Sequence, residues 1–234
     1  MLYKSKAIGT VGRMYTDAAP SKFMDSLVEM LLYEQSKLSN GDYIHYEKAL
    51  VSWHELGRNQ LVEKALGDWL LMLDTDHTFA PDLLERLLRV KEKYDAQVIS
   101  GIYQYKFPPH APVMNMWREL PNASGTVTAL TLPIVEYDRH AEAMMVGSVG
   151  AGCLLIDKKV FRRIENELKE NPFAIYPGLS EDYSFCFRCK KLGIPIYVAP
   201  QIECHHLVTT VLSTLDYRPA QQMEAVTTEQ GVIK

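Results

Sequence analysis

The chain has 234 residues, 47% of them hydrophobic and 23% charged, with a formal net charge of −4. That composition is ordinary for a soluble globular protein with room for a sizeable core, and its slight acidity argues against a protein held mainly by phosphate-backbone contacts. No run approaches the ~18 apolar residues of a membrane-spanning helix, no long apolar segment follows residues 1–6 as a secretory leader requires, and four cysteines are too few for a disulfide scaffold at this size. Reduced thiols in a cytoplasmic compartment are the expectation.

Taken in chain order, strand-like and helix-like stretches alternate. Residues 6–11 form a first strand ending in Thr10-Val11-Gly12-Arg13, read as a loop. Phe23, Leu27, Met30 and Leu31 repeat at helical spacing over residues 21–33. Residues 42–45 offer a second strand, and residues 55–66 a helix stopped by Gly67. The apolar run at residues 69–73 suits a strand buried on both faces, and Pro81 opens a helix carrying Leu83, Leu84, Leu87 and Leu88. Residues 96–102 are another apolar strand.

From Tyr103 to Met145 the pattern weakens into a proline-rich insertion, with strand fragments expected at 126–132 and 134–137. Regular structure returns as a strand at 152–156 and a helix at 158–169. Ser180 caps a helix over 181–192 that Gly193 ends, and strands follow at 194–198 and 201–206. Beyond residue 216 the chain is polar and weakly patterned, as in a tail or docking arm. The alternation implies a largely parallel α/β sheet, whose ligands bind beyond the carboxyl ends of the strands.

The sharpest chemical signal lies at such an end. The strand at 69–73 runs directly into Asp74-Thr75-Asp76. In extended geometry Asp74 and Asp76 project to one side, and two adjacent anions need a cation such as Mg²⁺ or Mn²⁺, or hydrogen-bond donors, between them. An acidic turn capping the next helix is the plainer alternative. Ser180-Glu181-Asp182 begins a helix, where acids complement the dipole but could also hold a general base. Glu203-Cys204-His205-His206 follows a strand, and alternation puts His206 on the same side as Cys204. Neutral imidazole is a good ligand for Mn²⁺ or Zn²⁺. Cys186 and Cys189, with Cys204 and His206, could instead hold zinc, although both fall inside an unbroken helix. Arg58-Asn59 sits ahead of the Asp74 strand, where the planar fork of an arginine suits a diphosphate.

Together these segments resemble a glycosyltransferase of the GT-A fold, closest to the family 2 type and its small bacterial and phage versions. The resemblance spans roughly residues 4–210 and rests on 57–66, 69–76, 147–157, 180–193 and 196–207. It implies a Rossmann-like, mixed but mostly parallel central sheet flanked by helices. The nucleotide-sugar-binding half would be residues 1–102 and the acceptor half 103–210, with 211–234 a tail.

It implies a metal-dependent transfer from a nucleotide-sugar, with UDP the expected carrier, to an acceptor hydroxyl with inversion. Asp76 and His206 would bind Mn²⁺ or Mg²⁺, with His205 the fallback. Asp74 would reach the metal through water or the ribose, beside Thr75. Thr10, Val11 and Arg13 would line the nucleotide pocket, Arg58 would meet the diphosphate, and Ala151 and Gly152 would wall the donor sugar. Asp182 would be the base, with Glu181 beside it.

One stretch departs from the pattern. Tyr43-Ile44-His45-Tyr46-Glu47 matches poorly to the family's acidic residue after the second strand. Tyr103, Tyr105, Phe107 and Trp117 could stack on an acceptor, a glycan or a nucleic-acid base, or belong to the core. A nucleotidyltransferase acting on sugar phosphates, or a noncatalytic nucleotide-sugar-binding module, are the competing classes.

Overall fold

The computed structural model describes residues 5–15, 18–39, 41–50, 53–121 and 127–208, with side chains left out between 119 and 130. The expected tail at 211–234 lies outside them. Among the described residues twelve strands run in chain order: β1 (Ala7–Tyr15), β2 (Tyr43–Leu50), β3 (Trp69–Leu73), β4 (His77–Thr78), β5 (Val98–Ile102), β6 (Met114–Pro121), β7 (Val127–Pro133), β8 (Met144–Val146), β9 (Ser148–Val149), β10 (Cys153–Asp157), β11 (Ile196–Glu203) and β12 (His205–His206). The helices are α1 (Ser21–Gln35), α2 (His54–Lys64), α3 (Leu83–Lys93), α4 (Lys158–Arg163), which passes into a π-helical turn, and α5 (Glu181–Lys191).

The central sheet has the order β2-β1-β3-β10-β5-β11-β8. Its pairings are parallel for β1 with β2 and β3 and for β5 with β11, whereas β10 and β8 run antiparallel to their neighbours. Every residue of β3, β5 and β10 is buried, as expected of strands covered on both faces. Alternation along β3 divides its side chains between two cores. Leu71 and Leu73 join Val11, Phe23, Leu27 and Leu87 under α1 and α3. Leu70 and Met72 join Leu61, Leu154, Phe161 and Phe185 under α2, α4 and α5. β10, from the second half of the chain, inserts between β3 and β5 of the first, so both halves share one sheet.

Several local expectations change. β1 continues to Tyr15 instead of breaking at Thr10, because its parallel pairing with β2 runs on to Tyr15–Leu50. The glycine-rich loop a nucleotidyltransferase would place there is replaced by strand. The proline-rich insertion holds the antiparallel pair β6–β7, which β9 joins from just beyond it, while residues 134–137 are not strand. The two strands expected at 194–198 and 201–206 are mostly one, β11, with a register shift between Ala199 and Glu203. Its continuation, β12, leaves the main sheet to pair with β4 just past the Asp74–Asp76 turn.

Candidate active site

β3 ends at Leu73, and Asp74 takes up the connection by donating its backbone N–H to the Gly152 carbonyl at 2.9 Å. The turn then folds His77 inward onto the β4–β12 pair, where His206 lies opposite it. The result is a close group: one oxygen of Asp76 and one ring nitrogen each of His77 and His206 all lie within 4.8 Å of one another. Asp76 Oδ1 is 3.9 Å from His206 Nε2. It is 3.1 Å from His77 Nδ1, yet neither atom has the geometry of a hydrogen bond.

The tautomer of His206 follows from its other contact. Nδ1 meets the Gln104 carbonyl and must donate to it, which leaves Nε2 with a free lone pair toward Asp76. Burial, followed by the neighbouring His77, pushes the His206 pKa down and favours the neutral ring. The His77 and His206 rings lie 4.0 Å apart by centroid, and Tyr103 meets His77 edge-on at 4.7 Å. Gly152 makes room for this: a Cβ there would come within 2.7 Å of His77 Cε1.

These residues fit a divalent cation. Asp76 Oδ1 and both ring nitrogens of His77 are buried without a hydrogen-bond partner, a loss of ~1–3 kcal/mol each unless a ligand satisfies them. One carboxylate and two imidazoles form a donor set suited to Mn²⁺ or Zn²⁺. Among the described residues it is the one such group of His, Cys, Asp and Glu. Burial works against the Asp76 charge, but His77 and the Lys106 ammonium outweigh it and hold the carboxyl well below its usual range.

His77 is not among the ligands that the sequence pattern singles out, since nothing local to the acidic turn shows that this side chain folds inward. Its signal was a histidine directly after that turn. Asp74 is outside the group. Its Oδ1 faces Arg58 Nη2 at 3.3 Å. Thr75 sits in the turn between the two acids, partly buried. His205, the alternative ligand, is exposed and pairs with Thr78 instead. The four cysteines are free and buried, with Cys186 and Cys189 on the core-facing side of α5 and outside the group formed by Asp76, His77 and His206.

Arg58 links the acidic turn to α5. It is 3% exposed, donates from Nε to Glu181 at 3.0 Å and from Nη1 to the Ala151 carbonyl at 3.2 Å, and faces Asp74 through Nη2. Burial alone would lower its pKa. Asp74, Glu181 and Asp182 outweigh that and raise it. Glu181 is therefore held in an ion pair. Asp182, the next residue, accepts from Ser180 Oγ and, at 2.8 Å, from the backbone N–H of Tyr183. Ser180 thus bonds Asp182 in place of the helix backbone that it was expected to cap. Burial and then the Glu181 charge push the Asp182 pKa up.

The residues of β1 divide. Thr10 donates to and accepts from the backbone of Leu66, at 2.9 and 2.7 Å, and Val11 is in the core, so neither side chain is offered to a ligand. They sit beside Leu70 and Leu71, well below the strand's carboxyl end. Arg13 lies level with Leu73, donates to the Tyr46 hydroxyl, and keeps a buried Nη1 without a partner. Glu47, the one acid on β2, turns instead toward His45 at 3.4 Å and Lys64 at 3.6 Å. Of the four aromatics, Tyr103 is buried and Trp117 packs on Phe187, whereas Tyr105 bonds Tyr183 and Phe107 is exposed.

The fold is of the GT-A type, a mostly parallel sheet flanked by helices, and an acidic turn follows its third strand in chain order. The chain belongs to glycosyl transferase family 2, whose model matches residues 24–163. Among solved structures, the chain resembles A197 from STIV at a TM-score of 0.50 and 14% identity, over 87% of this chain and 96% of that one. It also resembles GalNAc-T7, whose structure holds UDP, GalNAc and Mn²⁺, at a TM-score of 0.53 and 14% identity, over 86% of this chain and 43% of that one. No curated protein sequence matches it. Among the described residues, no helix is long and apolar enough to cross a membrane.

Proposed function

We propose that this protein transfers a sugar from a nucleotide-sugar, UDP-linked, to an acceptor hydroxyl with inversion at the anomeric carbon. The observation that carries the reading is the meeting of Asp76, His77 and His206 beyond β3, with Arg58 tying that turn to the helix that presents Asp182. Asp76, His77 and His206 would hold Mn²⁺, or Mg²⁺ more weakly since imidazole suits Mn²⁺ better. A cation held there supplies positive charge for the departing diphosphate oxygens. The UDP and Mn²⁺ in the GalNAc-T7 structure support this choice of donor and ion.

The chain's own groups do the rest. Arg58 orients Asp74 toward the donor and holds Glu181 off the base position. Asp74 and Thr75 contact the ribose, Arg13 the nucleotide, and Ala151 and Gly152 the sugar. Asp182 accepts the proton of the acceptor hydroxyl as the new glycosidic bond forms. Its raised pKa suits that role, since a base gains proton affinity from burial. Tyr105 and Phe107 stand at the acceptor side, where a glycan or a nucleic-acid base would bind. The free, buried cysteines suit the reducing cytoplasm.

The test is a panel of nucleotide-sugars with and without Mn²⁺, read by thermal shift and by product analysis. Nucleoside diphosphate released from one donor, only with metal, is the expected result. Release of pyrophosphate, or turnover unaffected by chelator, would overturn the reading. NMR of the first-formed product reports the anomeric configuration, and retention would remove Asp182 as the base of an inverting transfer.

A further inference from the structure

Asp76 uses its two oxygens differently. Oδ1 faces the two histidines, while Oδ2 accepts from the ammonium of Lys106. Lys106 comes from a hairpin between β5 and β6. Val113 N donates to the Tyr103 carbonyl and Tyr105 N to the Ala111 carbonyl, both at 2.9 Å, and Gln104 bridges Pro112. The stem is tied to the metal-ligand group through Gln104, whose carbonyl accepts from His206 Nδ1. The backbone that delivers Lys106 is therefore anchored two residues away, while the side chain itself is 38% exposed and hangs on a flexible four-carbon stem. Its head can move several ångströms without moving the hairpin.

Charge explains why it would move. The acidic turn carries two carboxylates, and each has its own cation: Arg58 for Asp74 and Lys106 for Asp76. Arg58 is buried and held by three partners, so it stays. Lys106 has a single carboxylate, Asp76, as its ion-pair partner among the described residues. A divalent ion against Oδ1 would set two positive charges close to the ammonium across one carboxylate, and like charges at that range repel. The anion nearest to hand is then the donor's diphosphate, which the proposed function brings against the same ion.

We propose that Lys106 is the site's movable counter-ion: it neutralises Asp76 before the metal arrives and passes to the diphosphate of the bound nucleotide-sugar, where it shares the charge of the leaving group. This rests on the metal-dependent reading above. Lys106 is then both a competitor of the metal and a ligand of the donor, and its removal has opposite effects on the two.

The experiment compares the wild-type protein, Lys106→Met and Lys106→Arg. Mn²⁺ alone is titrated and followed by its electron paramagnetic resonance signal. Mg²⁺ with pyrophosphate, the part of the leaving group that does not depend on the base, is titrated by calorimetry. Thermal unfolding confirms that the exposed substitution leaves the fold intact. K106M is expected to bind Mn²⁺ about 3–10-fold more tightly, from loss of a partly screened like charge. It should bind Mg²⁺–pyrophosphate ~10–100-fold more weakly, from loss of a charge-assisted hydrogen bond. K106R keeps the charge and should restore most of the pyrophosphate affinity.

Mn²⁺ binding that is unchanged or weaker in K106M would overturn the competitor role. Unchanged pyrophosphate binding would overturn the transfer to phosphate. A wild-type protein that binds no Mn²⁺ would remove the metal-dependent reading itself, an outcome distinct from either.

Discussion

Arg58 offers the most demanding test of how the site is held together. Replacing it by methionine keeps the volume of the stem and removes the fork. Glu181, 13% exposed at its side chain, then loses its partner inside the protein. Breaking a pair of this kind costs ~3 kcal/mol, the low end for buried pairs, because one edge of Glu181 can still reach water. Asp74 is 34% exposed and is rehydrated easily, so its share is about 0.5–1 kcal/mol. The Ala151 carbonyl loses its donor, for about 1 kcal/mol more. The sum is roughly 4–5 kcal/mol, equivalent to a fall in Tm on the order of 10 °C for a chain of this size.

Urea unfolding gives the free energy directly. The double variant R58M/E181Q should recover at least ~2 kcal/mol relative to additivity, since the stranded charge is gone. R58K should lie between, because an ammonium can satisfy one partner and not three. An R58M protein within about 1 kcal/mol of wild type would refute the reasoning. It would mean that Glu181 finds water or a proton without penalty.

Other outcomes follow from the same geometry. His77→Ala should weaken Mn²⁺ binding by roughly two orders of magnitude, as expected for loss of one of the three proposed ligands, and unchanged titration by paramagnetic resonance would exclude His77 from the ligand set. Gly152→Ala should also weaken it while leaving far-ultraviolet circular dichroism intact, because the added Cβ displaces the His77 ring; wild-type affinity would show that the ring has another place to lie. Asp182→Asn should spare donor binding and lower turnover by ~10²–10⁴, and equal turnover would move the base elsewhere.

The pH profile has a definite sign. As the proposed base, Asp182 would have to be ionised, so kcat/KM should rise with pH through a limb lying above the ordinary aspartate range, since burial and Glu181 both raise that pKa. In Glu181→Gln the limb should move to lower pH, and a limb that stays or moves up would contradict the assignment.

Much of the scaffold was legible in the chain because its burial is periodic. The mainly apolar stretches at 69–73, 96–102 and 152–156 read as strands with both faces covered, and the spacing of Leu83, Leu84, Leu87 and Leu88 as a helix lying on one side, as β3, β5, β10 and α3 are. The acidic turn, Asp182 and His206 stand out in the chain as polar groups at the border of such elements, and Arg58 as a cation inside the helix ahead of the turn. What the chain could not show is which of them touch. That His77 turns inward depends on β12 leaving the main sheet to pair with β4, a contact across more than a hundred residues that no local pattern encodes. That Thr10 and Val11 are spent on packing depends on how far β1 stays paired with β2. The amino-acid order therefore determined the layers and the residue types that border the cleft, since hydrophobic spacing is a local property. Only the tertiary structure decided that one carboxylate and two imidazoles share a few ångströms while the other carboxylate belongs to an arginine, because proximity between distant segments is set by sheet order and register.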